Sequence, residues 1–217
     1  MSSEQNWEGR QWIVYGQRES KDVVLRVLSY NIFADHYKCE NIQYTSARSW
    51  MTRRGRLLQE IVSYNPSIVC LQDVDHLTDW WQPQFAQHGY AICVGQRSQF
   101  RETTPPEFVA VVYKMADFQL FKSVTVELND CADTLREVSN SFKDRCKTDH
   151  VGLVVFLQPW GTNTMRSALC VASTMLADRP VDFDVRKQQC EFFTRQVEMA
   201  NKEFQLPVIM GVALNDV

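Results

Sequence analysis

Between Asn65-Pro66 and Gln72-Asp73 lies a short run, Ser67-Ile68-Val69-Cys70-Leu71, with no polar residue after its serine. A strand with one solvated face alternates apolar and polar residues, so a run without alternation belongs to a strand covered on both faces. The chain must therefore supply a layer on each side of it. Just upstream, residues 52–64 carry Leu57, Leu58, Ile61 and Val62 at helical spacing, with Thr52 placed to cap the start. Asn65-Pro66 ends that helix, because proline disfavours the helical conformation in the residue before it. Residues 23–33 are rich in β-branched and aromatic side chains and read as another strand. Strand, helix and buried strand in succession predict stacked α/β layers.

The rest of the chain continues in this style. A short helix is expected over 79–87 with Trp80, Trp81 and Phe85, one indole buried and one partly exposed, broken at Gly89. Strands are expected at 90–94, 108–114 and 118–128, and a hairpin at 151–157 and 167–174. A helix is expected over 182–204 and a last strand over 206–214. Residues 129–148 show no period and read as a polar excursion. Residues 1–22 form a polar lead-in with Trp7 and Trp12, and 23–217 a single domain.

Composition excludes several classes. Of 217 residues, 45% are hydrophobic and 23% charged, which a disordered or collagen-like chain would not show. Lys and Arg total 23 against 26 Asp and Glu, a net charge of -3, so no broad nucleic-acid-coating surface is expected. No apolar run approaches the roughly 20 residues of a membrane span, and the first residues resemble neither a signal nor a transit peptide. The seven cysteines include no C-x-x-C pair, so free thiols and an intracellular setting, cytoplasm or nucleus, are expected without a membrane.

Four apolar segments end in polar residues: 28–31, 71–75, 171–174 and 209–216. Strand ends in layered α/β proteins converge on one crevice, so Asn31, Asp73, Asp75, Asn215 and Asp216 could share a site. Carboxylate and amide oxygens suit Mg²⁺, and a metal-assisted phosphoryl site could be built from them. The same residue types at strand ends also simply make turns.

The order of segments resembles the endonuclease/exonuclease/phosphatase superfamily, whose founding fold is that of pancreatic deoxyribonuclease, and within it the nocturnin, angel and carbon-catabolite-repressor deadenylases. Ser29-Tyr30-Asn31-Ile32-Phe33-Ala34-Asp35 is similar to the family's SYNI strand and following A-D. Trp50-Met51-Thr52-Arg53 and the block from Asn65 to Asp75 resemble its W-x-x-R helix and NPDIVCLQEVD segment. Residues 178–189 resemble its D-P…D-x-R-x-x-Q segment, and 207–211 the approach to its G-D-F-N turn. The resemblance implies a four-layered α/β sandwich, two mixed sheets flanked by helices, and hydrolysis of phosphate esters with Mg²⁺ or Mn²⁺. It implies Asn31 and Asp73 as metal-facing residues and Asn215 as the residue that orients phosphate and water; Asp216, which no family motif assigns, is a nearby candidate catalyst three residues past Ala213.

The departures fall on the chemistry. Asp73 stands where the family has Glu, His150 and Ser173 where it has Asn, Met175 where it has a phosphate-facing His, and Ala213 where the G-D-F-N turn has Asp. The family's terminal S-D-H segment has no counterpart before Val217, so a sandwich missing its last strands is expected. A thioether cannot donate to developing phosphorane charge. The leading expectation is therefore a catalytically degenerate scaffold or regulatory module with protein partners in RNA processing or mRNA turnover. A working metal-dependent nuclease or phosphatase is the second reading. The third is a non-cleaving RNA binder using Arg53 and Arg54, beside Arg48, Arg56 and Trp50.

Overall fold

The computed structural model describes residues 25–35, 49–98, 106–161 and 167–215. The first sheet contains β1 (Val27–Asn31), β2 (Ile68–Val74), β3 (Tyr90–Gln96) and β4 (Phe108–Lys114) in the order β1-β2-β4-β3. β1 and β2 run parallel and the other pairs antiparallel. The second sheet contains β5 (Phe118–Glu127), β6 (Val151–Pro159), β7 (Leu169–Met175) and β8 (Val208–Ala213) in chain order, with β7 and β8 parallel. Each parallel pair is joined through a helix: α1 (Trp50–Ser63) between β1 and β2, and α4 (Phe183–Asn201) between β7 and β8. The expected sandwich of two mixed sheets flanked by helices is what the chain forms.

β2 shows why its sequence lacks alternation. Val69 and Leu71 pack with Leu57, Leu58 and Ile61 of α1, while Ile68 and Cys70 face Val151, Leu153 and Val155 of the opposite sheet. Every residue of β2 is buried. A second outer layer joins Val185, Phe192, Phe193 and Val197 of α4 to Val154 and Phe156 of β6. The sheets approach closely at Gly211 of β8, where a Cβ would stand 2.3 Å from the Cβ of Cys70. Only glycine fits there, and the approach lets Gln72 of β2 donate to the hydroxyl of Ser173 at 3.2 Å and the carbonyl of Gly211 at 3.3 Å.

Some local expectations shift. α1 begins at Trp50, with Ser49 rather than Thr52 at its cap position and no side-chain capping bond. The segment expected as a helix over 79–87 is a π-helical turn, Leu77–Trp81, feeding α2 (Gln82–Gln87). Gly89, at φ +80, ends it. The excursion 129–148 is better ordered than its polarity suggests. It holds a 3-10 segment, Leu128–Thr134, and α3 (Asn140–Arg145), whose cap Ser139 accepts from the Phe142 amide. Arg145 ties α3 to the start of α4 through Asp182 at 2.8 Å and Asp184 at 2.6 Å. The lead-in with Trp7 and Trp12 lies outside the described residues. Among the described residues no helix is long and apolar enough to cross a membrane.

Candidate functional site

The two parallel pairs point the carboxyl ends of β1, β2, β7 and β8 to one end of the sandwich, as doubly layered α/β sheets do at ligand crevices. Asn31 closes β1. Its amide oxygen accepts from the Phe33 amide at 2.8 Å, and its amide nitrogen reaches Met175 Sδ, at the end of β7, at 3.6 Å. Asp73 lies where β2 slips register against β4, between Leu71 and Val74, and its backbone is left-handed at φ 54. Such a bulge re-aims a side chain, and strained non-glycine residues gather at functional sites. Phe33, Asp149 and Asn215 are left-handed at this same end.

Asp73 is buried at 5% exposure, and its Oδ1 has no hydrogen-bond partner. Burial, then the charge of Glu107, pushes its carboxyl up to about 7, against the pull of Asn31 and Arg97. Glu107, also buried, precedes β4, which pairs with β2. Arg97 binds it at 2.9 Å and donates to the Thr148 carbonyl at 3.0 Å. The sequence pattern marks Glu107 only weakly and Arg97 not at all. Both flank the polar 97–107 stretch, and the one usable signal is a lone acid directly before an apolar strand.

His150 is nearly sealed. Its Nδ1 stands 2.7 Å from the Thr148 hydroxyl, which accepts from Gln189 Nε2 at 2.7 Å, while Gln189 Oε1 accepts from the Ala177 amide at 2.8 Å. Burial, aided by the Arg97 charge, drives its imidazole down to about 3, so it stands neutral in the wall. Ser173 is likewise consumed by structure, donating to the Leu71 carbonyl at 3.2 Å.

The remaining sequence candidates divide. Asn215 follows β8, and its amide donates to the Leu176 carbonyl at 2.8 Å, which fixes the turn after β8 against the end of β7. Asp216 lies outside the described residues. Asp75 is drawn aside, its carboxylate accepting from the Asp35 amide at 2.5 Å. Arg53 and Arg54 do not form a solvated basic face. Arg53 donates to the Ile32 carbonyl and sits 5.9 Å from the Phe33 ring, whereas Arg54 lies 4.2 Å over Trp80. Trp50 is buried and stacked on His76 at 4.5 Å, so it offers no free face to a base. Trp81 is fully buried against Phe85, and Trp80 is half-buried.

Two facing mixed sheets, helices outside them and a strained carboxylate at the strand ends define a deoxyribonuclease-like α/β sandwich. No family model matches the chain. Carbon catabolite repressor protein 4 homolog 1 of Arabidopsis thaliana is 30% identical over 211 residues, covering 88% of this chain and 35% of that protein. The CCR4-Not complex 3'-5'-exoribonuclease subunit Ccr4 of Yarrowia lipolytica is 25% identical over 186 residues, covering 79% and 26%. The human nocturnin catalytic domain with bound sulfate superposes with a TM-score of 0.69 at 25% identity, covering 88% of this chain and 64% of that domain. The chain spans about a third of the length of the curated relatives it matches. It belongs to the endonuclease/exonuclease/phosphatase superfamily, near the CCR4, angel and nocturnin deadenylase group.

Proposed function

We propose that this chain is a phosphodiester-binding module of RNA turnover that has kept the cation- and phosphate-facing side of a nuclease site and lost most of its turnover. One observation carries the reading. The position facing Asn31 across the crevice is filled by the Met175 thioether, which neither donates a hydrogen bond nor carries charge. A single preorganised donor is worth ~10²–10³ in rate, so its replacement alone lowers turnover by about that factor. His150 does not substitute for it, being held neutral and buried.

Two buried carboxylates, one with an orphaned oxygen, beside an amide suit a divalent cation that takes one or two carboxylates and keeps water in its other positions. Asp73 would hold it, with Glu107 beside it and Asn31 at the rim. Bound there, Mg²⁺ or Mn²⁺ would supply neutralisation of phosphate charge. The chain's own contribution is to hold Asp73 in place through the β2 bulge and to keep Arg97 balanced against Glu107. The CCR4-Not membership in the name of the Yarrowia relative supports a protein-partner setting for such a module.

The test is calorimetric titration of Mn²⁺ and Mg²⁺, with cleavage of an end-labelled oligoadenylate measured beside it. Binding that Asp73→Asn removes, with little cleavage, supports the reading. Robust cleavage that Asp73→Ala abolishes would overturn it in favour of a working nuclease.

A further inference from the structure

At the end of the sandwich opposite the crevice, where β1 and β2 begin, lies an open cleft of about 580 Å³, a volume usual for small-molecule sites. It sits where the two sheets are joined, since residues 115–117 carry the chain from β4 to β5. Its walls are fixed by main-chain bonds. The Ser67 amide donates to the Arg26 carbonyl at 2.8 Å, and the Lys114 amide to the Ser67 carbonyl at 3.1 Å. Trp160 is pinned to the 115–117 turn twice, its amide donating to the Asp117 carbonyl at 3.1 Å and its indole to the Met115 carbonyl at 2.8 Å. Its ring nevertheless stays 56% exposed.

Two independent features of the lining point to an anion. Arg26 donates to the Tyr64 carbonyl at 3.2 Å, and Lys114 reaches the next carbonyl, of Asn65, at 3.5 Å. These adjacent carbonyls close α1, whose dipole draws cations to that end. A guanidinium has five N–H donors and an ammonium three, so both retain donors for a ligand. The second feature is Ser67, only 8% exposed, whose hydroxyl lines the cleft without a hydrogen-bond partner among the described residues. Asp117 offsets one of the two cations, which leaves a charge suited to a single carboxylate rather than to a phosphate of about -1.5 to -2. Buried Phe118 and the exposed Trp160 ring add apolar surface beside this polar set. We propose that the cleft binds a small aromatic monocarboxylate. The carboxylate accepts from Arg26, Lys114 and the Ser67 hydroxyl, and the ring lies against Trp160. The proposal is independent of any chemistry in the crevice.

The experiment is calorimetric titration of the intact chain with 3-phenylpropionate and with its neutral isostere, 3-phenylpropanamide. The acid is expected to bind at least about tenfold more tightly than the amide. Arg26→Gln should weaken the acid by about tenfold and leave the amide unchanged. Ser67→Ala and Trp160→Ala should each weaken the acid by about fivefold, the latter weakening the amide as well. Far-ultraviolet dichroism of each variant matching the parent shows that the fold persists. Equal binding of acid and amide, or parent-like binding of the acid by both Arg26→Gln and Ser67→Ala, would overturn the assignment. So would a parent that takes up no acid by about 10 mM.

Discussion

The two sheets contribute unequal halves to one crevice. The half from the first sheet holds Asn31, Asp73 and Glu107, with buried charge, an orphaned oxygen and left-handed backbone. The half from the second sheet holds a thioether, an Asn215 amide engaged with a main-chain carbonyl, and a Ser173 hydroxyl engaged with another. The backbones of both are equally well built, each a parallel pair joined through a helix. The difference teaches that holding a cation or phosphate and turning it over are separable demands. The first needs concentrated charge, which buried carboxylates supply. The second needs donors and a base aimed at developing charge, and on the proposed reading the described residues of the second half do not present them.

The most forceful way to break the comparison is to restore the second half. Met175→His with Ala213→Asp is expected to raise single-turnover cleavage of oligoadenylate by roughly 10²–10³; a flat result places the deficit in the first half instead. Next comes the seam between the halves. Gly211→Ala drives a methyl into Cys70 and the Ser29 hydroxyl at the seam, and urea denaturation should show a loss of about 3 kcal/mol.

The charge in the first half makes a prediction of opposite sign. The folded carboxyl of Asp73 stands at about 7, above its unfolded value, so ionising it destabilises the fold from about pH 4 upward and fully above pH 7. Asp73→Asn removes that penalty, and without metal it should stabilise the protein by on the order of 2 kcal/mol near pH 8. The gain should fade below about pH 4, and thermal melts across that range check it. The smallest effect belongs to Asn215→Ala. Losing one partly buried bond to the Leu176 carbonyl should lower stability by about 1 kcal/mol, with no change in oligoadenylate binding. A large loss of binding would return Asn215 to the phosphate side.

Much of the architecture is legible in sequence because it is local. The unbroken apolar run at 67–71 reports cover on both faces, and α1 announces itself through Leu57, Leu58 and Ile61. Asn31 and Asp73 stand out because polar residues close apolar strands. Glu107 does not, since its importance arises only when antiparallel pairing sets β4 against the bulge of β2. α3 escapes notice because six residues are too few to show a helical period. Arg53 and Arg54 are adjacent in sequence, yet one turns to Ile32 and Phe33 and the other to Trp80, a division that only the packed helix reveals.

The sequence by itself determined the layers, the strand–helix–strand units and the polar residues at the strand ends, because periodicity and burial are written into neighbouring residues. Only the tertiary structure decided which of those residues act together. Asp73 and Glu107 lie far apart in the chain, and the charge of Glu107 raises the Asp73 carboxyl only because folding brings both into one buried place. Charge coupling depends on distance through space and on the loss of water, and neither is a property of the chain until the sheets close.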